Sequence, residues 1–300
     1  MKRHKRAMAE SHGLVDAIRE HYDRLSAFYS TLWGEHIHHG YWIPGAPDTG
    51  RHRAQVRTVE ELIAFGEIPP GGYVLDVGCG IGASSIYLAS RLGCRVEGIT
   101  ISDAQITRAR EKARDSGYAD LLNFTLMDGM QTSYPYGTFD CVWSLESCEL
   151  MPDKADWLRE CFRLLKPGGR LVAATWCSRG YDLTPAEAAL LRTIYRDFAA
   201  AYVLPLIEYA RLCQAVGFTN VRTEDWTACT RRTWEVGSDL ATSLLRRPSY
   251  LWRLARRGWH TVRFVRSVPL MRKAYQDGTM RYGVFRGTRP AAEALAVDPP

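Results

Sequence analysis

Apolar and polar positions alternate in blocks through the middle of the chain. Five short apolar runs, rich in β-branched and aromatic residues, predict buried strands over 73–77, 95–100, 122–127, 139–144 and 170–176. Between them, apolar residues at helical spacing predict helices over 83–92, 103–116 and 153–165. Strands that alternate with helices are typical of a parallel sheet covered on both faces, so the sequence predicts a doubly wound α/β fold.

The flanking regions have other patterns. The predicted core occupies residues 71–179, and a helical lid over 1–70, interrupted at the Gly- and Pro-containing stretch 40–50, precedes it. After the core we expect a helical cap insertion at 180–211, a core strand region at 212–230, a basic aromatic cap at 231–278, a last core strand at 279–289 and a disordered tail at 290–300.

Positive charge is concentrated near the C-terminus of a chain whose net charge is only +6. Nine Arg and Lys residues lie from Arg246 to Lys273, and they alternate with Tyr250, Trp252, Trp259 and Phe264. Such a segment can follow nucleic acid or lie on a membrane surface. An amphipathic cap helix with a solvated Arg face gives the same pattern. We favour the cap helix, with weak membrane contact at most, and expect no nucleic-acid partner.

The eight cysteines are scattered singly along the 300 residues, and no two of them form a C-x-x-C pair. Structural zinc sites need closely spaced ligands, so no metal site is expected. No apolar segment follows the basic N-terminus, and the longest apolar stretch, 198–207, is too short to span a bilayer. These features predict a soluble, reduced, cytoplasmic protein, and the N-terminal helices and aromatic residues are compatible with a homo-oligomer.

The strongest chemical signal is the segment Val74-Leu-Asp-Val-Gly-Cys-Gly-Ile-Gly82. A strand runs here into three glycines spaced two apart and then into a helix, which lets the backbone turn sharply and approach a ligand closely. Dinucleotide-binding domains use G-x-G-x-x-G instead. Asp76 precedes the first glycine by two residues, and its carboxylate would repel a pyrophosphate but can hold an ammonium group.

This segment resembles the first motif of class I methyltransferases, which have a Rossmann-like fold, use S-adenosylmethionine (SAM) and release S-adenosylhomocysteine. In that family an acidic residue usually ends the second strand and binds the ribose. This chain has Thr100 there, with Glu97 further back in the strand, so Thr100 and Gln105 are the candidates for the ribose contact. Asp128 matches the family's acidic residue that holds the adenine amino group.

Two further segments resemble tocopherol-type and sterol-type methyltransferases. The stretch from His21 to Trp42 is similar to a helix that closes over SAM in that group, where a tyrosine at the position of Tyr22 reaches the cofactor. Residues 146–154, Glu-Ser-Cys-Glu-Leu-Met-Pro-Asp-Lys, are similar to the tocopherol-methyltransferase signature E-S-x-E-H-M-P-D-K. The cofactor contacts that the resemblance implies are Tyr22, Asp76, Gly78, Gly80, Gly82, Thr100, Ile101, Gln105, Asp128, Gly129, Met130, Ser144 and Glu146.

One departure from these relatives bears on the methyl acceptor. They have a histidine where this chain has Leu150, and such a base can deprotonate a phenol or an amine. Its absence favours an alkene acceptor, whose carbocation is stabilised by aromatic faces and carboxylates. We therefore expect C-methylation of a prenyl double bond in a lipophilic small molecule of secondary metabolism, in the manner of bacterial enzymes that methylate prenylated indoles of the teleocidin type. O- or N-methylation is the alternative; a nucleic-acid methyltransferase and a non-catalytic SAM-binding protein are weaker ones.

The residues expected in catalysis are Tyr22, His39, Glu146 and Glu149. The two glutamates would bring negative charge to the substrate. If the acceptor is a phenol or an amine, the candidate bases are His36, His38 and His39. Residues available for an aromatic wall around the acceptor are Tyr22, Trp33, Tyr41, Trp42, Trp176, Tyr181, Tyr195 and Tyr202.

Overall fold

The computed structural model describes residues 13–25, 29, 33–246 and 259–291. The middle of the basic segment, 247–258, and most of the predicted disordered tail lie outside the described residues. The strands, in chain order, are β1 (Tyr73–Val77), β2 (Arg95–Thr100), β3 (Leu122–Leu126), β4 (Phe139–Leu145), β5 (Leu165–Ser178), β6 (Thr219–Asp225) and β7 (Met280–Thr288).

These strands form one twisted sheet in the order β3-β2-β1-β4-β5-β7-β6. Strand β7 is antiparallel to both of its neighbours, and the other pairs are parallel. The chain order reverses between β1 and β4, which is the switch point where open α/β sheets bind ligands outside the carboxyl ends of their strands. The doubly wound α/β prediction is therefore confirmed.

The helices cover both faces of the sheet and its carboxyl edge. They are α1 (13–25), α2 (Arg51–Gly66), α3 (Ala83–Leu92), α4 (Asp103–Asp115), α5 (Lys154–Leu164), α6 (Pro185–Phe198), α7 (Leu206–Val216), α8 (Thr227–Thr230), α9 (Arg232–Leu245) and α10 (Trp259–Gln276). Two of these helices begin at a side-chain cap: the Ser102 side chain accepts from the Gln105 backbone, and the Asp153 side chain accepts from the Asp156 backbone.

Two predicted element bounds are wrong. The helical prediction over 180–211 is interrupted, because Ala199 takes a left-handed conformation (φ 53°) that ends α6, and Pro205 precedes the start of α7. Strand β5 begins at Leu165 instead of residue 170, because Leu165 already pairs with Phe139 before the glycine-containing irregularity.

The described part of the basic segment is a packed cap. Phe264 on α10 is fully buried, which places the aromatic face of this helix in the core. Arg263 donates to Asp197 on α6 at 3.0 Å, and Arg272 donates to Asp239 on α9 at 3.1 Å. Helices α6, α9 and α10 thus form one layer through both apolar and charged contacts. Among the described residues, no helix has the length and apolar character needed to cross a membrane.

Candidate active site

The glycine loop after β1 is shaped by close backbone contacts. Gly78 has a left-handed conformation (φ 78°), and a Cβ atom there would lie 2.2 Å from the Ser147 Cβ. A Cβ on Gly82 (φ 81°) would lie 2.8 Å from the Phe124 ring. Neither position accepts a larger residue. Gly82 leads the chain into α3, and its lack of a side chain serves the packing against Phe124. Its contact with the cofactor stays a prediction.

A cleft of about 790 Å³ opens beside this loop, and we call it the glycine-loop cleft. The ends of β1, β2 and β4, the loop after β3 and one face of α1 form its walls. Leu150 and Met151 close it on the side of the segment 146–154. The predicted cofactor contacts that line it are Tyr22, Gly78, Gly80, Thr100, Ile101, Gln105, Asp128, Gly129, Met130 and Glu146.

Asp76 lies in an adjoining space, which we call the side lobe. Gly78 and Gly80 line both the side lobe and the glycine-loop cleft. The Asp76 carboxyl is 2% exposed and accepts a hydrogen bond from the Ser85 hydroxyl at 2.6 Å. Burial raises the pKa of Asp76 to about 7, against the opposing effect of the Ser85 hydrogen bond. The Ser85 hydrogen bond only partly offsets the cost of burying the Asp76 carboxylate. A cationic partner, such as the ammonium of an amino acid, would stabilise its ionised form.

The polar groups at the ends of β2 and β4 divide into those that face the cleft and those that support it. The Thr100 hydroxyl donates to Gln105 Oε1 at 2.8 Å, and both residues line the cleft. Glu97 is held away by the Tyr73 hydroxyl at 2.8 Å, which removes it as a ribose contact.

Ser144, a predicted cofactor contact, does not line the glycine-loop cleft. The Ser147 hydroxyl donates to the Val77 carbonyl at 2.5 Å, so the 2.8 Å bond between Ser144 and Ser147 has Ser144 as its donor. Ser144 is fully buried and supports Ser147 from behind. The hydroxyl of Ser144 thus holds the wall of the cleft, where the sequence predicts a direct contact with the cofactor.

A second cavity of about 440 Å³ lies against the cleft, and we call it the aromatic chamber. Four residues, Tyr22, Ile37, Glu146 and Leu150, line both spaces. The chamber is therefore adjacent to the cofactor side of the molecule. Its other lining residues are Tyr29, Trp33, His39, Glu149, Trp176, Phe198 and Trp234.

The predicted aromatic wall is right for three of its eight members, Tyr22, Trp33 and Trp176. The others lie elsewhere: Tyr41 packs on Trp226, Trp42 donates to Asp48, Tyr181 is 69% exposed, Tyr195 lines a different cavity, and Tyr202 faces the Lys154 ammonium. Tyr29, Phe198 and Trp234 complete the wall and were not predicted.

Glu146 is held by four donors. It accepts from the His39 backbone at 2.6 Å, from His39 Nδ1 at 2.9 Å, from the Tyr282 hydroxyl at 2.8 Å and from the Trp176 indole at 3.3 Å. Its backbone is left-handed (φ 56°), a strained conformation often found at functional sites. Burial opposes ionisation, but the His39 donors hold the pKa of Glu146 below its usual range. The carboxylate is a fixed anion.

His39 is not a free base. An indole nitrogen can only donate, and Trp234 Nε1 lies 2.6 Å from His39 Nε2, so Nε2 is the acceptor. The imidazole hydrogen is then on Nδ1, which donates to Glu146. His39 is therefore not placed to act as the base that was considered for a phenol or amine acceptor, and its ring holds Glu146 in position instead.

His36 and His38 are engaged in the same loop. The His38 ring donates from Nδ1 to the His39 carbonyl at 2.9 Å, so its Nε2 accepts from His36 Nδ1 at 3.1 Å. Burial lowers the pKa of both rings, that of His36 to about 3. Neither ring lines the aromatic chamber, so neither is placed to deprotonate a molecule bound there.

Comparison with known proteins matches a methyltransferase domain at residues 75–173. The chloroplastic tocopherol O-methyltransferase of Arabidopsis thaliana is 31% identical over 303 residues, which span 95% of this chain and 85% of the relative. The 2-methyl-6-phytyl-1,4-hydroquinone methyltransferase of a Synechocystis strain is 34% identical, over 92% of this chain and 89% of the relative. The chain belongs to the tocopherol-methyltransferase-like group of class I SAM-dependent methyltransferases.

Solved structures agree with this family at the level of the fold. The geranyl diphosphate C-methyltransferase of Streptomyces coelicolor A3(2), solved with geranyl diphosphate and S-adenosylhomocysteine, superimposes with a TM-score of 0.71 at 23% identity, covering 92% of this chain and 97% of that one. The [4+2]-cyclase SpnF gives a TM-score of 0.79 at 24% identity. The methyltransferase thus shares its fold with proteins of different activities. The reaction it catalyses is therefore inferred from the residues of its site and not from the fold.

Helix α1 places Tyr22 over the two cavities of the methyltransferase. Asp23 beside it accepts from the Ser102 hydroxyl at 2.5 Å and from the Ala104 backbone at 3.2 Å. Arg19 donates to the Ile101 carbonyl at 3.2 Å. These contacts attach α1 to the start of α4 at the edge of the glycine-loop cleft, as a lid would be attached.

Replacing Tyr22 by Phe is expected to lower kcat roughly tenfold, the effect of removing a hydrogen bond that the hydroxyl would make to the bound cofactor or acceptor. Burial and the charges of Glu149 and Glu146 raise the pKa of Tyr22, so the group that is lost is a neutral hydroxyl. Steady-state kinetics checks this, with the exposed Tyr181→Phe as the matched control. Unchanged kinetics of Tyr22→Phe would show that α1 has no part in the reaction.

Glu149 is the second carboxyl of the aromatic chamber and is 2% exposed. The Thr175 hydroxyl donates to its Oε2 at 2.9 Å. Burial, and then the nearby charge of Glu146, raise the pKa of Glu149 to about 8. At neutral pH the methyltransferase therefore holds one ionised and one protonated carboxyl in the same chamber, a pairing typical of sites that separate acid and base roles.

Glu149 should make the stability of the folded protein fall as pH rises from about 4.5 to about 8. The folded state keeps a proton there that the unfolded state releases, so the stabilising contribution is complete below 4.5 and is lost by 8. Relative to Glu149→Gln, the wild type should lose roughly 3–5 kcal/mol across this window. Urea unfolding of both proteins at several pH values measures it, and a constant difference would contradict the raised pKa.

Proposed function

We propose that this methyltransferase transfers the methyl group of SAM to a carbon of an isoprenoid double bond in a lipophilic small molecule. The observation that carries the proposal is the fixed Glu146 carboxylate, which lines both the glycine-loop cleft and the aromatic chamber. An acceptor bound in the chamber would develop its positive charge next to this carboxylate.

An alkene that accepts a methyl cation equivalent becomes a carbocation. Ring faces and a carboxylate stabilise such a cation in a site that excludes water. The chamber provides both: the rings of Trp33, Trp176 and Trp234 surround a carboxylate that its four donors keep ionised. Because these donors are in place before the reaction, the stabilisation requires no rearrangement when charge develops.

The cofactor fits the residues of the cleft and the side lobe. Asp76 would hold the ammonium of the methionine end, Thr100 and Gln105 the ribose, and Asp128 the adenine amino group. The sulfonium of bound SAM supplies a methyl group that is already activated for transfer. The protein's own task is then to orient the acceptor and keep water out, and such positioning can contribute about 7–11 kcal/mol.

None of the described residues that line the chamber has a free imidazole, and this supports an alkene acceptor. His39 donates to Glu146 and accepts from Trp234, and the apolar Leu150, which lines both cavities, stands where the relatives have a histidine. An acceptor that needs no proton removed before it reacts suits this arrangement. The Arabidopsis relative is named as an O-methyltransferase, and O- or N-methylation is therefore the alternative. A prenylated indole as the acceptor stays a prediction.

Binding of a cationic isoprenoid tests the proposal directly. A dimethylamino isoprenoid, protonated at neutral pH, resembles the carbocation, and its all-carbon isostere does not. With S-adenosylhomocysteine bound, calorimetry should show the amine binding about 10–100-fold more tightly than the isostere. Glu146→Gln should abolish the difference. Equal affinities in the wild type would count against a cation-stabilising chamber.

A further inference from the structure

The two carboxyls of the aromatic chamber differ in how they are held. Glu146 is fixed through its carboxylate by four hydrogen-bond donors. Glu149 is fixed through its backbone instead: its carbonyl accepts from the Lys154 ammonium at 3.1 Å and from the Ala201 backbone at 3.1 Å. Of the described side chains, Thr175 is the one that donates to the Glu149 carboxyl. The Glu149 carboxyl is thus firmly placed without being saturated.

We infer that Glu149 is the proton acceptor of the reaction and removes the proton that the methylated acceptor must lose. The inference rests on the proposed function. In the first step the alkene's π electrons form the new bond to the methyl carbon, and the electrons of the sulfur–methyl bond stay on sulfur. In the second step a Glu149 oxygen takes a proton from the carbon next to the cationic centre. The electrons of that C–H bond form the new double bond.

Other groups of the chamber are poorly suited to this step. All the hydrogen bonds to Glu146 favour its ionised form, which lowers its basicity. His39 has its only lone pair on Nε2, which accepts from Trp234. Tyr22 is a phenol whose pKa is raised by burial and by the two glutamates, so at neutral pH it carries its proton. Glu149 remains.

The surroundings of Glu149 suit a group that gains and loses a proton near neutral pH. A general base works best when its pKa lies near the operating pH, and the pKa of Glu149 is raised to about 8. The Thr175 hydrogen bond and the Lys154 charge oppose the rise caused by burial and by Glu146. The titratable groups that face it are Tyr22, Glu146, Cys148, Lys154, Cys177, Tyr209, Tyr275 and Tyr282.

The pH dependence of kcat separates this role from a structural one. The probes are prenylated indoles and prenylated hydroquinones, with SAM labelled with carbon-13 in its methyl group. The wild-type rate should rise with pH toward about 8. Glu149→Gln should lose about 10²-fold or more in kcat and lose this rise. Thr175→Val, which removes a donor to the ionised form, should move the rise to higher pH, and the exposed Glu111→Gln should match the wild type.

A pH rise that persists in Glu149→Gln, in protein with wild-type SAM affinity, would overturn the inference. The position of the labelled methyl group judges the proposed function separately, because a signal on oxygen or nitrogen refutes C-methylation whatever the pH profile shows.

NMR of the complex with S-adenosylhomocysteine tests the inference without any acceptor. In protein labelled at the Glu Cδ, one signal should titrate near pH 8 and be absent from Glu149→Gln. A Glu149 signal that is already that of an ionised carboxylate at pH 6 would overturn the inference.

Discussion

Glu146→Gln is expected to lower kcat by about 10²–10³-fold while leaving the Kd for SAM nearly unchanged. The amide keeps the shape of the side chain but removes the negative charge that faces the acceptor, and the loss of one preorganised electrostatic group has an effect of this size. The comparison of single-turnover rates with calorimetric SAM affinities measures both quantities.

A milder variant distinguishes the loss of the charge from a loss of folding. Tyr282→Phe removes one of the four donors to Glu146 and keeps the charge, so the expected loss in kcat is roughly tenfold. Both variants should melt cooperatively. If Glu146→Gln is folded, binds SAM and turns over like the wild type, the carboxylate does not stabilise the reaction.

Asp76→Asn is expected to weaken SAM binding by about 10²–10³-fold, which is the cost of leaving a buried ammonium without its counter-charge, about 3–4 kcal/mol. The wild type should also bind SAM more weakly below pH 7. Burial raises the pKa of Asp76 to about 7, and the ammonium binds the ionised form, so each unit below that pH should raise the Kd by up to about tenfold.

Calorimetry from pH 5.5 to 8.5 tests both parts of this prediction, with the exposed Asp120→Asn as the matched control. In Asp76→Asn the pH dependence should vanish together with the affinity. A variant that binds SAM as the wild type does would remove Asp76 from the cofactor site.

The sequence predicts most of the residues that line the glycine-loop cleft because their positions depend on neighbouring residues. Strands β1 and β2 and helix α3 begin and end where the hydrophobic pattern places them. Gly78 and Gly80 follow β1, Thr100 ends β2 and Asp128 lies just after β3, so the ends of the predicted strands locate these residues in the cleft. Gly82 and Ser144, which the motif also predicts as cofactor contacts, serve the packing around the loop, and this packing depends on Phe124 and Ser147.

The acceptor half could not be predicted from local patterns, because it is assembled from distant parts of the chain. Trp234 contacts His39 across 195 positions of the sequence, and this contact decides which nitrogen of His39 bears the proton. Tyr282 reaches Glu146 from β7, across 136 positions. An isolated aromatic residue in the sequence does not reveal whether it faces the chamber or, like Tyr181, solvent.

Product analysis by NMR, with SAM labelled with carbon-13 in its methyl group, tests the central claim most directly. The wild-type protein is incubated with prenylated indoles, prenylated hydroquinones, phenols and amines, and the labelled product is examined for the atom that carries the methyl group. We expect a methyl signal bonded to carbon on a former isoprenoid double bond. A signal on oxygen or nitrogen, from any acceptor that turns over well, would contradict it.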